Sequence, residues 1–234
     1  MQTGMGAAIR RGLVDSIPFL IVIVPFGMLF GVAGAEAGLP IAQVMGFTVL
    51  VIAGAAQFTA LQLLQDNAPL AVILLTSLAV NLRMAMYSAA LAPHLGKARL
   101  WQRGLVAYLL VDQSYALAQA AYEREPGRPL PQKLGYFFAT MSTIAPVWFL
   151  ATYCGARMGA AVPEGIALDF AVPVTFLALV APGLKTLAHL AAAGTSVALA
   201  LALSWMPYSL GLILAAIAAM AAGAQTEIWM ERRA

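Results

Sequence analysis

Apolar residues occur along this chain in long blocks, separated by short polar stretches rich in proline and glycine. The blocks predict hydrophobic helices at about 16–35, 41–65, 69–92, 104–122, 134–157, 186–204 and 207–223, with a shorter apolar piece at 168–181. Most approach the roughly 20 residues that cross a hydrocarbon core. Turn chemistry marks the breaks between them, as in Gly38-Leu39-Pro40, Asp66-Asn67-Ala68-Pro69 and Glu125-Pro126-Gly127-Arg128-Pro129. No heptad seam or solenoid period is present, and the alanine-rich stretch 188–224 suits close helix packing by small side chains.

The pattern predicts an all-α, polytopic inner-membrane protein of about seven transmembrane helices with broken or re-entrant segments. A single transmembrane domain is expected over 1–234. Composition agrees: 62% of residues are hydrophobic and 10% charged, against about 25% charged in soluble domains. Arg10-Arg11 followed by the apolar run 17–30 imitates a signal peptide. That run is longer than a usual signal core, and everything downstream is equally apolar. A lone Cys154 with only His94 and His189 gives no zinc spacing, so no metal and no cofactor are expected.

The net charge of +3 sits mainly in the connections and reports orientation. Arg10 and Arg11 place the N-terminus on the cytoplasmic side. Lys97, Arg99 and Arg103 want the same side, yet three full crossings would put them opposite. One of the first three blocks is therefore expected not to cross completely. The same parity recurs at Arg157, Lys185 and Arg232-Arg233 if 168–181 dips in and returns.

Polar residues inside the apolar blocks mark the candidate site. Asn81 and Arg83 fall near the middle of block three, where a cation is expensive unless it faces a polar interior. Arg83 and Tyr87 share one stripe, and Ser77, Asn81 and Ser88 another. Arg83 is open to two roles, binding a carboxylate bidentately or pairing with Asp112. In block four Tyr108, Asp112, Tyr115, Gln119 and Tyr122 align on one face. That face lines a pathway, seats a partner, or at Tyr122 joins an interfacial aromatic belt. Asp112 is the candidate proton-coupling group. Helix breaks are expected at Pro25 and Gly27, near Gly54 and Gln57, and at Pro173.

Val51-Ile52-Ala53-Gly54-Ala55-Ala56-Gln57-Phe58, Val80-Asn81-Leu82-Arg83 with Tyr87-Ser88-Ala89, Asp112-Gln113-Ser114-Tyr115, and Leu168-Asp169-Phe170-Ala171-Val172-Pro173 resemble the AzlC family. The resemblance covers residues 17 to about 182. It implies the large subunit of a bacterial branched-chain amino acid exporter, working beside a small AzlD-like membrane subunit. Met84 stands where the family pattern suggests histidine, Ala56 where serine is frequent, and Gln113 where an acidic residue often follows the aspartate. These departures place the proton-coupling load on Asp112.

A zwitterionic solute needs a donor for its carboxylate, acceptors for its ammonium and an apolar pocket. Arg83 or the half-helix end near Gly54 suits the first, Asn81 or Asp112 the second, and Phe26, Phe58 and Met84 the third. Asp169 suits an N-cap better than a ligand. No Walker motif and no His-Glu-x-x-His occur. The expectation is therefore a secondary transporter, an antiporter driven by protons, and not an enzyme. The competing reading is a passive channel or a structural membrane subunit.

Overall fold

The computed structural model describes residues 4–159, 184, 186–206 and 210–232. Every regular element among them is helical. They form two compact units, Met1–Leu61 with Ser77–Ile166, and Gln62–Thr76 with Ala167–Ala234.

The first unit is organised around two long rods. Helix α1 (Met5–Ser16), a 3-10 turn (Ile17–Phe19) and α2 (Leu20–Glu36) make one apolar rod of 32 residues, and α8 (Leu130–Gly159) makes the other. The turn falls at Pro18. Pro25 and Gly27 are not helix breaks, because α2 runs uninterrupted through both. Gly27 serves packing instead: its Cα faces Ala151 and Trp148. A methyl group at Gly31 would overlap the Thr152 carbonyl, and one at Gly155 would overlap the Met28 carbonyl. Gly27/Gly31 and Gly155/Gly159 are thus small-residue pairs spaced four apart, which let two apolar helices approach closely. Gly12 meets Tyr136 and Ala139, while Gly159 meets Val32 and Ala35, so the two rods run parallel.

Between the rods the chain forms two hairpins rather than two crossings. Block 41–65 divides into α3 (Ile41–Leu50) and α4 (Gly54–Gln65). Contacts descend α2 and then climb it again: Val44 meets Gly34, Phe47 lies 5.8 Å from Phe30, Gly54 meets Phe26, and Phe58 is back at 5.4 Å from Phe30. The Gln57 side chain reaches Thr48, nine residues earlier, at 2.9 Å. Nine residues of continuous helix would span about 13 Å. The segment therefore folds back on itself at residues 51–53.

The second hairpin mirrors the first. Helix α5 (Leu70–Leu95) is followed after a short loop by α6 (Leu100–Tyr108), and α7 (Asp112–Arg124) follows a break at 109–111. Arg83 meets Asp112, Tyr87 meets Tyr115 and His94 meets Tyr122. Residue numbers rise together on both helices, so α7 runs parallel to α5 and toward its C-terminal end. Since α6 starts from that same end, it runs inward and α7 returns.

The expected broken or re-entrant segments are present, since 41–65 and 104–122 are each divided into two short helices. Four helices among the described residues are long and apolar enough to cross a membrane: Met5–Glu36, Leu70–Leu95, Leu130–Gly159 and Leu210–Met230. The charge parity now has its explanation. Arg11 contacts Glu125 and His94 contacts Lys133, which puts the start of α1, the end of α5 and the α7–α8 loop on one face. Lys97, Arg99 and Arg103 share that face with Arg10 and Arg11. The first hairpin enters from the opposite face, where α2 ends.

Both breaks are built from apolar residues in extended backbone, such as Val51 (φ −128°, ψ 91°) and Val111 (φ −127°, ψ 169°). Branched side chains favour this region without proline or glycine. In the second unit α9 (Leu187–Ala202) and α10 (Leu210–Glu231) pack antiparallel. Gly211 lies against Leu203 and Gly223 against Ala192. The Thr186 hydroxyl caps α9 by accepting from the His189 N–H. Pro173, Asp169 and the piece 168–181 lie outside the described residues.

Candidate functional site

The tip of the second hairpin lies beside the middle of α5. There Arg83 Nη1 is 3.1 Å from Asp112 Oδ2, and the Tyr87 hydroxyl donates to Asp112 Oδ1 at 3.0 Å. The Tyr87 and Tyr115 rings stack at 4.2 Å. Of the two roles open to Arg83, the geometry contains the pairing with Asp112. The guanidinium is neither sealed nor free, with 32% of the side chain exposed against 43% for Asp112. Its Nε is buried without a hydrogen-bond partner, as are Asn81 Oδ1 and Ser77 Oγ. The site thus retains polar capacity beyond the ion pair. Ser88 is exposed and Met84 partly buried.

Ser114 holds this tip together. Its fully buried hydroxyl accepts from the Val111 N–H at 2.9 Å and lies within 3.1 Å of the Val111 and Leu109 carbonyls. Backbone freed at membrane depth needs such satisfaction. Tyr108 precedes the break and so leaves the expected face, which keeps Asp112, Tyr115, Gln119 and Tyr122 on α7. Tyr122 does not join an interfacial belt either, because it is fully buried and donates to the Lys133 carbonyl at 2.8 Å.

The tip of the first hairpin is lined by aromatic rings. Gly54 begins α4 directly beneath Phe26, and a methyl group there would come within 2.5 Å of that ring. Phe58 and Trp148 flank Phe26 at centroid distances of 5.2 and 5.8 Å. Below them the Thr48 hydroxyl accepts from Gln57 Nε2 and from Trp148 Nε1, each at 2.9 Å. Gln57 is fully buried, with no protein partner for its Oε1. Thr48 and Trp148 were not singled out by the sequence. Their partners lie 9 and 100 residues away, and only Gln57 among the three interrupts an apolar block with an amide.

A hydrogen bond from the Tyr108 hydroxyl to the Val49 carbonyl ties the two tips together. Both return helices, α4 and α7, begin at these tips, so two positive helix ends converge there. The α7 end carries Asp112 in its first turn, whereas the α4 end carries no acidic residue. Phe26, Ile52, Tyr87 and Tyr115 all border one apolar core containing Val111, Ile144 and Trp148. The arrangement presents a cation, an anion, a helix end without an acidic residue in its first turn and an aromatic wall. Among the described residues no cluster of three metal-ligating side chains occurs.

Relatives carry the same membrane character. The chain is 30% identical over 213 residues to an uncharacterized membrane protein of Archaeoglobus fulgidus, covering 91% of this chain and 92% of that one. It is 27% identical over 183 residues to the inner membrane protein YgaZ of Escherichia coli, covering 73% of this chain and 71% of that one. A membrane protein of Helicobacter pylori is 27% identical over 110 residues, covering 47% of this chain and 48% of that one. No solved structure matches the chain. The model of the AzlC protein family matches residues 18–162, well over half the sequence, and this membrane protein therefore belongs to the AzlC family.

Proposed function

We propose that the chain is the solute-carrying subunit of a secondary exporter for branched-chain or similarly hydrophobic amino acids. The observation that carries this reading is the joining of two hairpin tips by the Tyr108 hydroxyl on the Val49 carbonyl, one tip carrying Asp112 paired with Arg83 and the other lined by Phe26, Phe58 and Trp148. Discontinuous helices whose ends meet at mid-depth are the usual form of a transporter binding site. A zwitterion suits this site because it can replace one ion pair by two. Its carboxylate takes Arg83 or the free α4 end, its ammonium takes Asp112, and no charge is left alone in a low-dielectric setting. Phe26, Phe58 and Trp148 supply the apolar wall for a branched side chain.

Asp112 is the group for proton coupling. Alternation follows if the hairpins open in turn, each toward its own face. The face shared by Arg10, Arg11, Lys97, Arg99 and Arg103 is assigned to the cytoplasm by its positive charge, in an inner membrane. A small AzlD-like subunit is the expected partner.

Growth of a host overexpressing the chain, with and without its genomic neighbour, on inhibitory valine tests the reading. Unchanged tolerance in both cases would remove amino acid export. A passive pore is the second reading, since converging helix ends also build channels. In everted vesicles gradient-dependent accumulation marks a transporter, and flux that only equilibrates marks the pore.

A further inference from the structure

We propose that the groove between α1 and α7 binds the phosphate of an anionic membrane phospholipid. The groove, about 370 Å3, is bounded by Arg11 and Asp15 on α1, Arg124 on α7 and Tyr136 on α8. Its charges do not balance. Arg11 lies 2.6 Å from Glu125 and 3.7 Å from Asp15, Tyr136 donates to Asp15 at 2.8 Å, and Arg128 makes two bonds to Glu125. Of the groove's own lining, two arginines, Arg11 and Arg124, therefore face one carboxylate, Asp15, and among the described residues Arg124 makes no ion pair. An unmatched guanidinium calls for one negative charge.

The wall beside it is apolar. Val14, Pro18, Leu117 and Ala120 continue the groove, with Val14 56% exposed. A free inorganic anion has no use for that strip, whereas an acyl chain does. Depth agrees with this occupant. The 32-residue rod spans about 48 Å, roughly 18 Å more than a hydrocarbon core. Arg11 lies six residues from its start, about 9 Å along it, which is the headgroup boundary when the excess is shared between the ends. Arg124, the last residue of α7, shares that level with Arg11, and basic side chains at this level attract anionic lipids.

The test uses the purified full chain in a zwitterionic detergent, titrated with phosphatidylglycerol, with phosphatidylcholine, or with inorganic phosphate, bound lipid being counted by native mass spectrometry. Wild type is expected to retain phosphatidylglycerol selectively. Arg124→Gln weakens retention about fivefold, the effect of one basic side chain at an anionic surface. Arg124→Lys retains most of it, and Arg99→Gln, an exposed arginine outside the groove, leaves it unchanged. Equal retention of phosphatidylcholine, displacement of the lipid by millimolar phosphate, or equal losses in Arg124→Gln and Arg99→Gln would each overturn the proposal. The first two comparisons need only the wild-type chain, so a poorly folding variant leaves the test intact. They are also independent of valine tolerance, so failure here does not touch the transport reading.

Discussion

Removing both members of the Arg83–Asp112 pair should harm folding less than the sum of removing each alone. At 3.1 Å the two charges attract by about 5 kcal/mol in an effective dielectric near 20. With a third or more of each side chain exposed, desolvation and screening leave only part of that, on the order of 1–2 kcal/mol. Arg83→Gln strands the Asp112 carboxylate against the Tyr87 hydroxyl, and Asp112→Asn strands a guanidinium whose Nε already lacks a partner. Each single variant is therefore expected to lose about 1–2 kcal/mol, and the double variant to recover on the order of 1 kcal/mol as coupling. The assay is thermal unfolding of the detergent-purified chains, followed by size-exclusion of the surviving fraction. Transport separates the roles: the double variant should be stable and inactive, because the solute then has neither charge to exchange with. Strictly additive losses would refute the pairing, and a stable double variant that still exports would refute its use in transport.

Ser114→Ala should cost about 1–3 kcal/mol by leaving the Val111 N–H without its acceptor, while Ser88→Ala at an exposed position stays within about 0.5 kcal/mol in the same thermal assay. Gly31→Val drives a side chain into the Thr152 carbonyl and should cost about 1–3 kcal/mol, seen as a lower unfolding temperature. Trp148→Phe keeps the aromatic wall but leaves Thr48 with one donor fewer, so valine export should fall while membrane abundance holds; equal export would discount the aromatic tip. The Arg128 side chain bonded to Glu125, with Arg11 adding to it, holds that carboxyl below its usual 4.5. A depressed carboxyl stabilises the fold above the unfolded value and loses that contribution as pH falls below about 4.5 through the folded one. Melting curves between pH 7 and pH 3 should show this loss in wild type and not in Glu125→Gln.

Much of this architecture is legible in the residues themselves. Long apolar blocks with few charges point to helices in a bilayer, because a helix satisfies its backbone hydrogen bonds within one segment and the strands of a barrel would alternate apolar and polar residues. Charge parity also predicts that one early block fails to cross, since loop charge is a property of sequence and bears on crossings without needing coordinates. Helical spacing puts Arg83 and Tyr87 on one stripe and offers Asp112 as one of two partners for the arginine; the structure makes that pair and adds the Tyr87 bond to Asp112. The positions of the breaks follow only in part: the one expected near Gly54 is present, since α4 begins there, whereas the one at 109–111 carries no such signal. Proline and glycine direct attention to Pro25 and Gly27, yet packing against α8 keeps α2 helical through both. The fold at 109–111 lies in Leu109-Leu110-Val111, which reads equally well as helix. What turns the chain at 51–53 is held by distant partners: Trp148 and Gln57 on Thr48, Tyr108 on the Val49 carbonyl, and Phe26 against Gly54. An apolar block states only that it belongs in oil. Whether it crosses or returns depends on which neighbours satisfy the few backbone groups released at the bend, and those neighbours are chosen by the tertiary fold.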